Sequence, residues 1–248
     1  MTTYTTPGGD IYTLFCDMAK QPHLLIAGAT GSGKSVIING IIATLLHKAP
    51  CDAKFILIDP KRVELSPYKD IPHTIRYASE PNDMVSALNY AIDITNTRYI
   101  EMEKRHERKY SGGDIYIIID EFADLMTTRR RDVAPVVQRL AQIGRAAKVH
   151  LIIGTQSPIA KVIPTEIKCN FDSRVGLRTR SAQDSRNILG YSGLEKLPLF
   201  GQGIYMTPEG DTLYNIPYVT EDEQQRLIDW WLAQKPVEVK KKRRFRLW

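Results

Sequence analysis

Four short apolar runs stand out from a mixed background, at residues 23–27, 55–58, 115–119 and 150–153. Each is too short for a lone helix and is rich in branched aliphatic side chains, so each reads as a buried parallel strand. Between them lie stretches with helical spacing, at residues 33–47, 84–109 and 133–147. In the second, Val85, Leu88, Ile92, Thr95, Tyr99 and Met102 recur at three- and four-residue steps, which predicts one apolar stripe on a long helix beginning after Pro81 and Asn82. Its end, residues 101–109, is densely charged and solvated. Strands alternating with helices predict an α/β fold with a mostly parallel, doubly wound sheet flanked by helices, because each parallel pair needs a long crossover. After Thr155 the pattern shortens and is broken by Pro158, Pro164, Pro198, Pro208 and Pro217. Residues 203–206 and 212–216 flank Pro208-Glu209-Gly210-Asp211, which predicts a hairpin. Thr220 and Glu223 have capping-box spacing ahead of the amphipathic residues 227–233, which predicts a closing helix. The folded body is expected over residues 1–236 and a disordered basic tail over 237–248.

Composition changes this picture little and charge changes it in one place. With 248 residues, 43% hydrophobic and 25% charged, the chain has the make-up of a folded globular protein. The net charge of +6 comes from the last fourteen residues, which hold seven Lys or Arg against one Glu, so the body is neutral. Cys16, Cys51 and Cys169 are odd in number, lack metal-ligand spacing and read as reduced and structural. No apolar run reaches the roughly 18 residues of a spanning helix, and the polar start lacks the marks of a signal peptide. A cytoplasmic protein without a membrane segment is expected.

The strongest chemical signal is Gly28-Ala29-Thr30-Gly31-Ser32-Gly33-Lys34-Ser35, which follows the first predicted strand and opens the first predicted helix. In that context the glycines let successive N–H groups converge on phosphate oxygens, and the helix dipole adds positive potential. Lys34 is suited to neutralise the β and γ phosphates of ATP, and the Ser35 hydroxyl to ligate Mg²⁺. A second element is the apolar strand that ends in Asp120-Glu121. Ligands bind at the C-terminal ends of parallel strands, so Asp120 is expected beside the phosphate loop as a Mg²⁺ partner. Glu121 is then a candidate general base for the water that attacks the γ-phosphate. The same strand-end logic singles out Gln156 as a γ-phosphate sensor. It also notes Asp59-Pro60-Lys61 after the second strand.

The strings at residues 23–42, 58–73, 119–126, 139–158 and 184–189, in order and across nearly the whole body, resemble the FtsK/SpoIIIE DNA translocase motor domain. The resemblance implies a RecA-like P-loop motor of the additional-strand, catalytic-glutamate class, a homo-oligomer usually closed as a hexameric ring, which pulls double-stranded DNA through its channel using ATP. It implies Walker A at residues 28–35, Walker B at Asp120 with catalytic Glu121, and a sensor at Gln156. Arg145 resembles the arginine finger that reaches a neighbouring subunit's γ-phosphate, with Arg174 and Arg186 as weaker alternatives. For DNA contact it points to residues 157–168 and 178–182, with Lys168 as a channel lysine. The chain departs from the family pattern at Ser157 and Ala182, where a basic residue is usual, and Arg178 and Arg180 are nearby charges able to substitute. Arg129, Arg130 and Arg131 read as a solvated turn or a further loop facing the channel or an interface.

After Trp231 too little chain remains for the winged-helix domain of chromosomal members, so sequence-directed polarity is not expected. A self-contained motor of this kind resembles versions carried by mobile elements and phages. Two rivals stand beside the DNA motor: a protein-secretion ATPase of the same superfamily, which the neutral body favours, and a non-hydrolysing nucleotide-binding module, which adjacent Asp120 and Glu121 disfavour.

Overall fold

The computed structural model describes residues 2–5, 11–14 and 16–234. Among the described residues ten strands form one sheet: β1 (Thr2–Thr5), β2 (Ile11–Leu14), β3 (His23–Ala27), β4 (Ala53–Ile58), β5 (Thr74–Ala78), β6 (Asp114–Ile119), β7 (Val149–Thr155), β8 (Ser173–Gly176), β9 (Gln202–Thr207) and β10 (Gly210–Asn215). Their order across the sheet is β2-β1-β10-β9-β8-β3-β7-β6-β4-β5. The run from β8 to β5 is parallel throughout. From β9 to β2 the pairing is antiparallel. Seven helices are found among the described residues: α1 (Lys34–Lys48), α2 (Pro81–Arg105), α3 (Phe122–Thr128), α4 (Arg130–Ile143), α5 (Thr165–Lys168), α6 (Ala182–Leu189) and α7 (Glu221–Ala233).

The central strands are mostly apolar on both sides because both faces are covered. Leu25, Ile56, Ile58, Ile117 and Ile119 pack under α2, α3 and α4. Their chain neighbours Leu24, Ile26, Phe55, Leu57 and Ile118 pack under α1 and α7. Successive strand residues therefore enter opposite cores, and a run such as 115–119 has no polar phase. Each such side chain, taken fully out of water, contributes roughly 1.5–3 kcal/mol before chain entropy is set against it.

The long helix begins at Pro81 and ends at Arg105, with His106 in the left-handed conformation at φ 54°. Of the charged stretch at 101–109 that the sequence assigned to its end, residues 101–105 are helical and the rest lies beyond the helix. Helix α4 likewise starts earlier and ends earlier than its pattern predicts, so Arg130 and Arg131 are helical rather than in a loop. Arg129 is the junction between α3 and α4 and pairs with Asp132, while Arg130 donates to the Lys161 carbonyl at 2.5 Å. The predicted hairpin is β9 and β10, and α7 carries the capping box of Thr220 and Glu223. Strands β1, β2, β5 and β8 are additions to the sequence reading. Among the described residues no helix is long and apolar enough to cross a membrane, and the three cysteines are free and exposed. The basic tail at 237–248 lies outside the described residues.

Candidate nucleotide site

Strand register places the candidate chemistry at one end of the sheet. Strand β7 lies between β3, which leads into the glycine loop, and β6, which leads into Asp120 and Glu121. This is the additional strand that the family resemblance implies. Ile119 is level with Ile153, so Asp120 falls opposite Gly154 and Glu121 opposite Thr155. Ala27 is level with Thr155 on the other side, and the Gly28 N–H donates to the Thr155 carbonyl at 3.3 Å.

The loop from Gly28 to Gly33 owes its shape to its glycines. Gly31 and Gly33 hold φ values of +77° and +100°, which other residues rarely adopt. A Cβ on Gly28 would sit 2.6 Å from both Leu177 Cβ and Ser32 Oγ, so the chain passes there only without a side chain. Ala29 donates its N–H to the Arg178 carbonyl at 2.8 Å, and Ser32 to the Ala29 carbonyl at 3.1 Å. Thr30 Oγ1 donates to Gln156 Oε1 at 2.7 Å. The Ser32 hydroxyl is buried without a hydrogen-bond partner, a polar atom left for a ligand. Gly33 caps α1 with no side-chain bond and no acidic residue in the first turn, so that helix end keeps its positive potential for an anion.

Lys34 and Asp120 are buried at 5% and 1% exposure. The Lys34 ammonium donates to the Asp120 carbonyl at 2.8 Å and pairs with the Asp120 carboxylate. Ser35 follows on the first turn of α1. A hydroxyl and a carboxylate are hard oxygen donors suited to Mg²⁺, which takes one or two protein ligands and completes its shell from phosphate and water. No cluster of three or more His, Cys, Asp or Glu able to hold a metal occurs among the described residues.

Glu121 is 2% exposed. Thr155 Oγ1 donates to its Oε1 at 2.9 Å, and the Gln156 N–H donates to Oε1 and Oε2 at 3.1 and 3.3 Å. Lys61 Nζ reaches Oε2 at 3.4 Å. Gln156 thus touches the glycine loop with its side chain and Glu121 with its backbone. Sequence reasoning missed Thr155, Gly154 and the inward aim of Lys61. The two strand ends were in view, but the contacts follow from register, which composition does not carry.

Other candidates lie elsewhere. Arg145 is exposed on the turn between α4 and β7, at the opposite end of β7 from Gln156. Seven strand residues at about 3.3 Å each put it roughly 20 Å from its own glycine loop. Arg174 donates to the carbonyls of Phe171, Ile188 and Lys168 at 2.9–3.3 Å, a commitment within its own chain. Lys168 donates to the Asn187 carbonyl at 3.2 Å, and burial lowers its pKa. It precedes β8, whereas Arg178 and Arg180 follow it. Arg180 instead borders a cleft of about 130 Å³ shared with Ala29, Gln156 and Asp184.

The model of the FtsK/SpoIIIE family matches residues 11–117 and 105–160. A DNA translocase FtsK of Clostridium acetobutylicum is 43% identical over 232 residues, covering 86% of this chain and 30% of that protein. One of Helicobacter pylori is 39% identical over 242 residues, covering 91% of this chain and 29% of that protein. The chain therefore spans about three tenths of the length of these relatives. Among solved structures, the pCW3 conjugation coupling protein TcpA, determined with ATPγS, superposes with a TM-score of 0.79 at 25% identity, over 92% of this chain and 69% of that one. The cytoplasmic domain of the Type VII secretion ATPase EccC of Thermomonospora curvata shares the fold, with a TM-score of 0.76 at 20% identity over 95% of this chain and 31% of that one. Glycine loop, additional strand and paired carboxylates thus occur in a sequence that the family model matches over more than half its length, and the chain belongs to the FtsK/SpoIIIE family.

Proposed function

We propose that the chain is an ATP-driven motor for double-stranded DNA, hydrolysing ATP at sites completed by a neighbouring copy in a hexameric ring. The observation that carries this reading is the buried carboxylate of Glu121, fixed by Thr155 and Gln156 within the same strand-end cluster as the glycine loop. A passive binder has no use for a water-activating carboxylate so placed. Relatives named as DNA translocases support the choice of duplex as cargo.

In this reading residues 28–33 cradle the phosphates and Lys34 exchanges its contact with Asp120 for the β and γ phosphates. Ser35 and Asp120 would hold Mg²⁺, which when bound neutralises charge on the phosphate oxygens. Glu121 takes a proton from the attacking water, and Gln156 reports the γ-phosphate to the loop through Thr30. Arg145 serves the site of the next subunit, since its own is out of reach. Lys168, Arg178 and Arg180 neutralise backbone phosphates from separate positions, which non-specific duplex binding permits.

Steady-state ATP hydrolysis by the purified chain, with and without long linear duplex at low and high salt, tests the proposal. Stimulation that fades with salt is expected, because phosphate contacts weaken as counterions compete. Turnover indifferent to DNA would favour a protein-moving ATPase instead. No turnover even at ring-forming concentrations would favour a non-hydrolysing module.

A further inference from the structure

Arg145 sits on the turn at residues 144–148, between α4 and β7, and its side chain is exposed. The backbone beneath it is tightly closed. The Gly144 carbonyl accepts the Val149 N–H at 2.9 Å, and the Arg145 carbonyl accepts the Lys148 N–H at 3.3 Å, with Lys148 in the left-handed region at φ 54°. A Cβ on Gly144 would collide with the carbonyl oxygens of Val149 and Leu140. A turn this tight moves as a unit, so the aim of Arg145 depends on what grips the turn from outside.

The grip comes from α2 and the segment that follows it. Arg98, on α2, is half-buried. Its Nη1 donates to the carbonyls of Ala147 and Lys148 at 2.6 and 3.0 Å, and its guanidinium lies over the Tyr110 ring, 4.3 Å from the centroid. Tyr110 donates its N–H to the Ala146 carbonyl at 2.9 Å, and the Tyr99 hydroxyl donates to the Ile143 carbonyl at 2.8 Å. Carbonyls on both sides of Arg145 are thus held by Arg98, Tyr99 and Tyr110. A planar guanidinium can bond neighbouring carbonyls with its edge while its face stacks on an aromatic ring, and an ammonium cannot do both. All of these contacts lie at the opposite end of β7 from the subunit's own Glu121 and glycine loop.

We propose that Arg98, seated on Tyr110, is a positioning residue for Arg145: it fixes the turn so that the Arg145 guanidinium meets the γ-phosphate held by the neighbouring copy. The proposal rests on Arg145 serving the next subunit's site, as argued above. A group that acts across a subunit boundary is aimed only by its own turn, and a misplacement of about 1 Å costs on the order of 10²-fold in rate. Loss of Arg98 therefore slows the step at the neighbour's site and leaves nucleotide binding in its own subunit intact. A general fault in folding would weaken both. Arg98 acts only through Arg145 and touches no reacting atom.

The test measures kcat and KM of ATP hydrolysis for wild type, Arg98→Met, Arg98→Lys and Arg145→Ala, alone and in pairwise mixtures of subunits. Arg98→Met is expected to lower kcat on the order of 10²-fold with KM within about twofold of wild type. Arg98→Lys keeps the charge and most of the volume, so it guards against a variant that merely fails to fold, and its kcat is expected to fall on the order of tenfold. Mixing either Arg98 variant with Glu121→Gln subunits is expected to restore part of the turnover, because one copy supplies a sound turn and the other a sound carboxylate. Mixing either with Arg145→Ala is expected to restore none, because both defects then fall on the same half of the shared site. Wild-type kcat in both Arg98 variants, a loss confined to KM, or rescue by Arg145→Ala subunits would overturn the proposal. If Arg145→Ala shows the rescue pattern and the Arg98 variants do not, the reading of Arg145 stands and only this inference falls. If Arg145→Ala turns over like wild type, that reading fails and takes this inference with it.

Discussion

Gly154 offers a perturbation whose size can be worked from the structure. It sits on β7 opposite Asp120, where a Cβ would lie 2.5 Å from the Asp120 carbonyl oxygen, 3.1 Å from Lys34 Cδ and 3.2 Å from Ile38 Cδ1. The lysine stem can bend, but the carbonyl belongs to the strand end and cannot rotate away. Ordinary contact with it requires β6 and β7 to part by roughly an ångström. Overpacking of this kind costs about 1–3 kcal/mol. For a chain of this size that is a fall in melting temperature of roughly 2–12 °C. Lys34 and Asp120 are the groups displaced, so ATP affinity is expected to fall as well. Gly40→Ala is the matching control. It lies within α1 with nothing inside 4 Å of the added carbon, and is expected to gain roughly 0.5–1 kcal/mol from backbone entropy. Thermal and denaturant unfolding, with nucleotide titration at a temperature where both variants are folded, decide the matter. A Gly154→Ala chain that melts with wild type and binds ATP normally would refute the close approach on which the site geometry depends.

Two further outcomes follow from residues at the other end of the sheet. His23 is buried, accepts the Leu151 N–H through Nδ1 at 3.0 Å, and has its pKa lowered to about 4 by burial and by His150. An unfolded histidine titrates near 6.5, so the unfolded chain binds the extra proton first. His23's contribution is complete above about pH 6.5 and declines as pH falls toward 4. Between pH 7 and pH 5 wild type is expected to lose roughly 2 kcal/mol more than His23→Gln in urea unfolding; a His23 ring titrating near 6.5 by NMR would contradict this. Arg145→Ala is expected to abolish turnover alone, and mixing it with Glu121→Gln subunits is expected to restore part of it, because the two defects fall on different halves of a shared site. Absence of rescue at any mixing ratio would remove Arg145 from that role.

How much of this was legible in the sequence depended on burial. Strands β3, β4, β6 and β7 announce themselves because residues such as Ile117 and Ile118 enter separate cores. Strand β5, Thr-Ile-Arg-Tyr-Ala at the sheet edge, and the four-residue β8 carry too few apolar positions to stand out. The glycine loop and the Asp120-Glu121 pair were visible because their chemistry is local in the chain. The partners of Glu121 were not, since Thr155 and Lys61 meet it only through the register of three strands. Lys168 was singled out by the family resemblance alone, and its contact with the Asn187 carbonyl, like the contacts of Glu121, follows from the fold and not from local sequence.

The central claim, that ATP held by the glycine loop is cleaved with Glu121 as base, is tested most directly by Glu121→Gln. The amide oxygen can still accept from Thr155 and the Gln156 N–H, so the site keeps its shape while losing its proton acceptor. Loss of a general base slows the step by roughly 10²–10⁴-fold. The account predicts that radiolabelled ATP stays bound and uncleaved through repeated wild-type turnover times, and an ATP turnover within a few-fold of wild type would contradict it.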